Sequence, residues 1–299
     1  MELKQIVGNT WCLYGHQIIP LYRTDSTHCI LMDTGASALR EDIVKTLEDN
    51  NLTPIGLLCT HTHFDHFGNA SYLSKRYHCP VALPLGEAEI CRTAASVKSH
   101  LFVFTAGQVE NDPEMKEIPC LVDHIIRPEE NDTLFRGVLF KVLHTPGHAM
   151  DHVSYITPDN VCYIGDALMC GRTLHSSRLP YAFNFRQSIE TIQGLHGLQC
   201  SAMVVAHSGI LYDHFNELVE ENLNIMEEQL ATVKGLVDHA MSADEICAAV
   251  CEHMDVSVST PKKAQSLERF LRPYLELMVD EGSHRMVMRG TTLCYEPVK

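Results

Sequence analysis

The segment His61-Thr62-His63-Phe64-Asp65-His66 places four potential metal ligands within six residues, directly after the short apolar stretch 55–60. In a chain of this composition, chance produces such a spacing well under about one time in a hundred. Alternate residues of an extended strand end project to the same side, so His61 and His63 can hold one ion. Asp65 and His66, past the bend, then face another ion. A solvated polar loop is the alternative, but the segment predicts a two-metal site.

Four apolar segments further along the chain are each followed by His, Pro, Gly or Asp: 138–144, 152–157, 161–164 and 202–206. A short apolar run bounded by turn residues is typical of a buried strand. Taken singly, His148 or His207 could be an ordinary histidine, and Asp166 could cap a helix. Taken together, they place polar chemistry at one strand end after another, which predicts a single shared site.

These motifs, in this order, resemble those of the metallo-β-lactamase superfamily, and the resemblance covers about residues 1–210. It rests on the segment 61–66, on His144-Thr145-Pro146-Gly147-His148, on Gly165-Asp166 and on His207, before which the family more often has Gly than Ala206. The resemblance implies an α/β fold, the αββα sandwich. It also implies seven ligands for two divalent ions: His61, His63, Asp65, His66, His148, Asp166 and His207.

The resemblance gives individual ligands a role. His148 is similar to the third histidine of the first metal, His207 to the histidine that closes the second, and Asp166 to the carboxylate that bridges both. Asp65 and Asp166 are therefore the predicted catalytic residues. Asp33, at the end of an early strand that continues Asp-Thr-Gly, is similar to the aspartate that braces the site loops.

Other polar residues carry weaker expectations. His144 and His152 flank His148, and because enough ligands are already supplied, we expect them to support the ligands from behind rather than to bind metal. Three residues could orient a polar substrate, with ordinary packing as the alternative: Tyr181, Arg186 and Tyr212. Two histidines match no motif and are expected to be ordinary surface or core residues: His175 and His196.

The chain divides by pattern into two parts. Residues 1–211 alternate short strands and helices, with a helical insertion and long loops over about 87–132, and form the predicted catalytic domain. Residues 212–299 form a predicted, mostly helical extension. Its expected elements are helices over 215–241, 243–253 (opened by Ser242) and 266–279, then two short strands around Arg289-Gly290. Helices followed by a hairpin resemble a winged-helix-like appendage.

Charge and cysteine use limit the class of protein. The 299 residues carry a formal net charge of −15, and 212–299 contain 16 acids against 8 Lys and Arg, which disfavours binding to nucleic acid or an anionic membrane. Packing or a homodimer contact is the expected use of that extension. Twelve cysteines without a Cys-x-x-Cys pair, no export signal and no long apolar run predict a cytoplasmic protein without a membrane span.

A pair of divalent ions that share and activate a water predicts a hydrolase. The full ligand set with Asp166 resembles the glyoxalase II-like branch, so the first expectation is a small ester, thioester or lactone as substrate. A phosphodiesterase or endoribonuclease is the alternative, and a non-enzymatic ligand-sensing protein is a weaker one. A redox enzyme is disfavoured because the flavodiiron branch has Glu where His63 stands. Zinc is the expected metal, with iron or manganese as alternatives.

Overall fold

Two β-sheets lie face to face and form the centre of the molecule. The structure is a computed structural model that describes residues 1–170 and 179–299. The first sheet has the strand order β1-β2-β3-β4-β5-β6-β7, and the second has the order β13-β12-β11-β10-β9-β8. The strands are β1 Glu2–Val7, β2 Thr10–Tyr14, β3 Ile19–Arg23, β4 His28–Met32, β5 Thr53–Leu58, β6 Val81–Pro84, β7 His124–Ile126, β8 Asp132–Phe135, β9 Val138–His144, β10 Val153–Ile156, β11 Val161–Gly165, β12 Ala202–Val205 and β13 Gly209–Leu211.

Helices cover the outer faces of both sheets. In the described residues they are Arg40–Asp49, Phe64–Phe67, Ala70–Tyr77, Leu85–Ile90, Ala94–His100, Ala106–Asn111, Phe185–Gly194, Phe215–Leu236, Ala243–Met254 and Pro261–Asp280, with 3-10 turns at Ser37–Leu39 and Met115–Glu117. None of them combines the length and the apolar character needed to cross a membrane. His175, expected to be an ordinary histidine, lies outside the described residues.

The layers follow from where the apolar side chains lie. One buried cluster, which includes Met32, Phe140 and Tyr155, fills the space between the two sheets. A second cluster joins the outer face of the first sheet to its helices, and a third joins the outer face of the second sheet to the helices there. Sheets that bury apolar residues on both faces need such a cover. The predicted αββα sandwich is confirmed.

Strand direction brings the polar loops to one edge. In the first sheet β4, β5 and β6 run parallel, so the loops after β4 and β5 leave from the same end. In the second sheet β11 and β12 also run parallel, with Tyr163 beside Val204. Asp166 and His207 follow these two strands directly and therefore emerge side by side.

The C-terminal part of the chain contains a small third sheet. Its strands are β14 Met241–Ser242, β15 His284–Arg289 and β16 Thr292–Pro297, in the order β14-β16-β15. The element order is helix, strand, helix, helix, strand, strand, and the predicted hairpin around Arg289-Gly290 is confirmed. The Ser242 side chain caps the helix Ala243–Met254 as predicted.

Two predicted helix boundaries in this region are wrong. The helix expected over 215–241 ends at Leu236, because Met241 pairs with Tyr295 as part of β14. The last helix begins at Pro261 and not near 266. Thr260 accepts a hydrogen bond from the Lys263 amide, and proline is well suited to the first helical position.

Candidate metal centre

The seven predicted ligands meet at the edge where the parallel strands end. The segment 61–66 follows β5, and His63 precedes the short helix Phe64–Phe67, which carries Asp65 and His66. His148 lies in the loop between β9 and β10. Asp166 follows β11, and His207 follows β12. The structure therefore brings together in space four motifs that lie up to about 140 residues apart in the sequence.

The ligands form two clusters with one shared member. The first contains His61, His63, His148 and Asp166, and the second contains Asp65, His66, Asp166 and His207. Within each cluster, one nitrogen or oxygen from every residue lies within 4.8 Å of the others. Asp166 is the only residue common to the two. Each cluster therefore consists of four residues that could hold a metal ion.

Distances inside the clusters match those between ligands of one ion. In the first, Nε2 of His148 lies 2.9 Å from Nδ1 of His63 and 3.3 Å from an Asp166 oxygen. In the second, Nε2 of His66 lies 3.1 Å from Nε2 of His207 and 3.2 Å from Asp166. Ligand pairs on a tetrahedral zinc are separated by about 3.3 Å, since each Zn–N bond is about 2.0–2.1 Å.

Two buried nitrogens have no protein partner, and this observation tests whether a metal fits. Nε2 of His61 and Nε2 of His63 are both buried and without a hydrogen-bond partner among the described residues. A buried polar atom left unpaired costs about 1–3 kcal/mol. A divalent ion bound by the first cluster satisfies Nε2 of His61, whereas His63 faces that cluster through Nδ1, 2.9 Å from Nε2 of His148. The donor set of imidazoles and carboxylates suits zinc, iron or manganese.

Hydrogen bonds behind the ligands fix the imidazole tautomers. The Thr60 hydroxyl donates to Asp33, so the Nδ1–H of His61 donates to the Thr60 oxygen at 2.9 Å. The Nδ1–H of His66 donates to Asp33 at 2.8 Å. Both rings are thereby turned so that Nε2, with its lone pair, faces the clusters.

Burial and neighbouring charges set the ionisation of the ligands. Burial, with the other histidines, holds the pKa of His61 well below its usual value and keeps the ring neutral. Burial opposes ionisation of Asp166, but His66 and His207 outweigh it and hold the pKa of that carboxyl well below its usual range. Burial also opposes the charge on His207, but its hydrogen bonds to Asp166 and Asp65 outweigh burial and raise its pKa to about 9. Because a neutral imidazole and an ionised carboxylate are the forms that bind metal, metal binding has to displace a proton from His207.

Asp33 accepts hydrogen bonds from three parts of the site. It accepts hydrogen bonds from the backbone N–H of Thr60 at 2.7 Å, from His66, and from the Tyr163 hydroxyl at 2.5 Å. Its own backbone lies in the left-handed region, with φ of 65°. Asp33 is fully buried and does not belong to either cluster, and its bracing role stays a prediction.

Of the two histidines expected to support the ligands, His152 is the one that lies against them. His152 is fully buried, its ring lies 4.9 Å from that of His61, and its Nε2 accepts from the backbone N–H of Asp166. His144 makes a 2.8 Å hydrogen bond to the Glu130 carbonyl oxygen through Nε2. The β9–β10 pairing opposes His144 to Val153 and leaves His152 in the ligand turn.

Gly165 allows this close approach. Its φ is +58°, and a Cβ atom there would lie 2.6 Å from Nε2 of His152. Any larger residue would displace the His152 ring or move the backbone N–H of Asp166 away from it.

The three expected substrate residues lie in different places. Tyr181 packs against the site, with its ring centre 5.4 Å from that of His63 and 5.5 Å from that of His148. Arg186 is exposed on the helix Phe185–Gly194, near Glu281, and Tyr212 is 55% exposed after β13. Neither Arg186 nor Tyr212 lines the cavities beside the clusters. For these two residues the structure favours the alternative, an ordinary surface role.

Sequence reasoning missed Arg269, which lies beside Tyr181. Arg269 belongs to the C-terminal helix Pro261–Asp280, and its Nη2 donates to the Tyr181 hydroxyl at 2.5 Å and to Nε2 of His100 at 2.9 Å. Burial lowers the pKa of its guanidinium. Burial also lowers the pKa of His100, to about 4, so that His100 is neutral and accepts this bond.

Glu87 is a second residue that the sequence did not reveal. It is buried, accepts from the backbone N–H and the hydroxyl of Thr62, and also accepts from the Asp151 amide. Burial raises the pKa of its carboxyl. Glu87 thus joins the 61–66 loop to the loop that carries His148.

Comparison with known proteins gives a match to one family. The model of the family described as the metallo-beta-lactamase superfamily matches residues 21–218, about two thirds of the chain. Among solved structures, a beta-lactamase domain protein from Burkholderia ambifaria is similar with a TM-score of 0.74 at 17% identity, covering 99% of this chain and 93% of that one. A metallo-beta-lactamase family protein from Thermus thermophilus gives 0.69 at 20% identity, covering 94% of each chain. These TM-scores show a shared fold.

Several curated relatives are named as hydroxyacylglutathione hydrolases. The protein from Idiomarina loihiensis is 27% identical over 58% of this chain and 54% of its own length. The one from a Bradyrhizobium species is 31% identical over 53% of this chain and 52% of its own. The chain therefore spans about half the length of the curated relatives it matches.

Proposed function

The chain belongs to the metallo-beta-lactamase superfamily, and from that premise we propose that it is a dinuclear metal-dependent hydrolase of a small thioester, ester or lactone. Of these three, a thioester is the first choice, because the curated relatives are named as hydroxyacylglutathione hydrolases. Zinc is the proposed metal, with iron or manganese as alternatives.

One observation carries the proposal: two ligand clusters share the Asp166 carboxylate. A structural ion would be closed off by its protein ligands, whereas a hydrolytic site keeps ligand positions open. Asp65, Asp166 and His207 are each partly exposed, so the second cluster faces solvent. The cavity that contains Asp65 and Asp166 gives a substrate access to both clusters.

The role of each residue in the proposed reaction follows from its position. When bound, two divalent ions lower the pKa of a shared water towards about 7 and polarise a carbonyl oxygen. Asp65 lies at the face of the second cluster, with a carboxylate oxygen 3.3 Å from Nε2 of His207. From this position it can orient the attacking oxygen. Asp166 holds negative charge between the clusters. Tyr181, fixed by Arg269, borders the side on which a polar leaving group would lie.

Charge favours a small substrate over a polyanion. The net charge of −15 repels a nucleic acid backbone on average. The extension 212–299 is itself acidic, so it offers no compensating basic groove. A phosphodiesterase therefore remains the second candidate and a ligand-sensing protein without catalysis a weaker one.

A substrate panel on metal-defined protein tests this function. Chelated protein is reloaded with Zn²⁺, Mn²⁺ or Fe²⁺ and assayed with a glutathione thioester, a lactone and bis(p-nitrophenyl) phosphate. We expect metal-dependent hydrolysis of a carbonyl substrate that exceeds phosphodiester hydrolysis by at least about tenfold in kcat/KM. Faster turnover of the phosphodiester, or no metal-dependent turnover of any substrate, would contradict the proposal.

A further inference from the structure

An apolar cavity opens directly onto the ligand clusters. Its volume is about 310 Å³, within the range of small-molecule sites. One wall contains Asp65, His63, His148 and Asp166. The cavity is thus continuous with the place where a bond would be broken, and not a separate pocket elsewhere on the molecule.

The rest of the cavity is lined mainly by apolar side chains. The six that form the far wall all lie within the insertion 87–132: Ile90, Val97, Leu101, Phe104, Met115 and Ile118. Folded proteins leave few voids of this size, and water gains little in one that lacks hydrogen-bonding groups. A cavity with this lining is suited to an apolar group of a ligand.

Lys262 also lines the cavity, and it is paired with two acids. It lies 2.7 Å from Asp112 and 3.0 Å from Glu114, and its side chain is 44% exposed. It therefore brings no unpaired charge to the cavity. The polar groups Tyr181 and Arg269 line the cavity beside His63.

We propose that this cavity binds the acyl part of the substrate, and that the acyl part is an apolar group of several carbons and not a small hydroxy acid. This inference rests on the proposed hydrolase function. The scissile carbonyl would lie between the clusters, the acyl carbons would enter the cavity, and the alcohol or thiol part would point away from it. Burial of each methylene then contributes to binding.

The C-terminal segment closes the cavity, which gives that segment a role. Phe270 and Ser266 of the helix Pro261–Asp280 line it. Gln265 holds the helix against the insertion, with hydrogen bonds of 2.8 Å to Gln108 and to the Val103 carbonyl oxygen. This helix lies beyond residues 21–218, the part that matches the family. Most of the lining residues lie inside that match, and this helix supplies the remainder.

The first test is a series of thioesters that share one thiol and differ only in acyl length, from acetyl to decanoyl. On the Zn-loaded protein, kcat/KM should rise by up to about fourfold for each added methylene until the cavity is full, and then fall. The lactoyl thioester should be a poorer substrate than the butanoyl one. A flat series, or a preference for acetyl and lactoyl, would overturn the inference.

A binding measurement separates this inference from the proposed function. Calorimetric titration with acetate, butanoate, hexanoate and octanoate needs no turnover. All four ligands carry the same carboxylate, so any contact of that group with metal contributes equally to each affinity and cancels in the comparison. Affinity should increase with chain length. Length-dependent binding without hydrolysis of any ester would contradict the hydrolase but keep the acyl cavity. Hydrolysis with no length dependence in either assay would contradict the cavity and keep the hydrolase.

Variants test the far wall. Val97→Phe fills the cavity and should lower the ratio of octanoyl to acetyl kcat/KM at least tenfold, whereas the matched surface change Val258→Phe, at a position 37% exposed, should leave that ratio unchanged. If Val97→Phe does not fold, Phe104→Ala enlarges the cavity instead and should shift the preferred acyl length upwards. A correctly folded variant of either kind with the parent's length profile would overturn the inference.

Discussion

At the scale of single residues, Asp166 links the two clusters. Its carboxylate lies 3.2 Å from His66, 3.3 Å from His148 and 3.5 Å from His207. The strand before it, β11, is entirely buried, so packing of the fold does not depend on this charge. Asp166 therefore contributes to the site more than to the core.

Asp166→Asn should lower hydrolysis by about a hundredfold or more, because loss of a preorganised charge at a reaction centre typically costs that much. The melting temperature should change by only a few degrees. The measurement is kcat/KM beside thermal melting, with Asp213→Asn, at a carboxylate 80% exposed, as the control. A parallel loss of activity and stability would show that Asp166 is structural instead.

Asp33→Ala should destabilise the protein, by contrast. It leaves donors from Thr60, His66 and Tyr163 buried without an acceptor, at about 1–3 kcal/mol each. A loss of about 3 kcal/mol corresponds to a melting temperature lower by roughly 6–12 °C. Asp33→Asn should lie between parent and Asp33→Ala, since asparagine keeps one acceptor and tolerates the positive φ. Equal melting temperatures for all three proteins would contradict the bracing role of Asp33.

The ligands could be predicted from the sequence because each belongs to a motif with fixed spacing. Glu87 and Arg269 could not, since each acts through contacts with residues distant in the chain and has no neighbouring pattern. His144 and His152 both flank His148, and only the β9–β10 register distinguishes them. Sequence spacing therefore predicts which residues form the clusters better than it predicts which residues support them.

At the scale of elements, the strand ends were predictable and the helix starts less so. The apolar runs of β9, β11 and β12 agree with the expected strands to within about a residue. The start of the helix Pro261–Asp280 was missed because its capping residue, Thr260, precedes the amphipathic pattern. Such a helix takes its position from packing as much as from its own sequence.

The cap of the helix Ala243–Met254 gives a pH-dependent prediction. The Ser242 backbone N–H and then Arg289 lower the pKa of Glu245 from its usual 4.5 to about 2. A lowered carboxyl pKa stabilises the fold above the unfolded-state pKa, and this contribution is lost as pH falls towards the folded-state value. Glu245→Gln should therefore melt below the parent at pH 7, and the difference should shrink by pH 3.5. The exposed Glu227→Gln is the control, and a difference independent of pH would contradict the assignment.

At the scale of the whole molecule, the C-terminal helices share a core with the second sheet. Phe185 packs against Tyr274 with tilted rings whose centres are 4.3 Å apart, and Met203 and Val205 belong to the same apolar cluster as Leu218. The domain boundary at residue 211 and the homodimer contact both stay predictions. Removal of one side of a shared core exposes the other to water.

A fragment of residues 1–211 should therefore fold poorly. It would expose the outer face of β12 and the apolar side of the helix Phe185–Gly194. We expect broad, non-cooperative melting and increased binding of a hydrophobic dye, relative to the full chain at equal concentration. A sharp transition with the parent's metal content would instead show that the fragment is an independent domain.

The central claim is that two metal sites meet at Asp166, and metal content per chain tests it most directly. Elemental analysis of purified protein after equilibrium dialysis against Zn²⁺ should give about two ions per chain. His148→Ala removes a ligand of the first cluster only, and His207→Ala one of the second only, so each should fall to about one. One ion or none in the parent, or the full content in both variants, would contradict the dinuclear site.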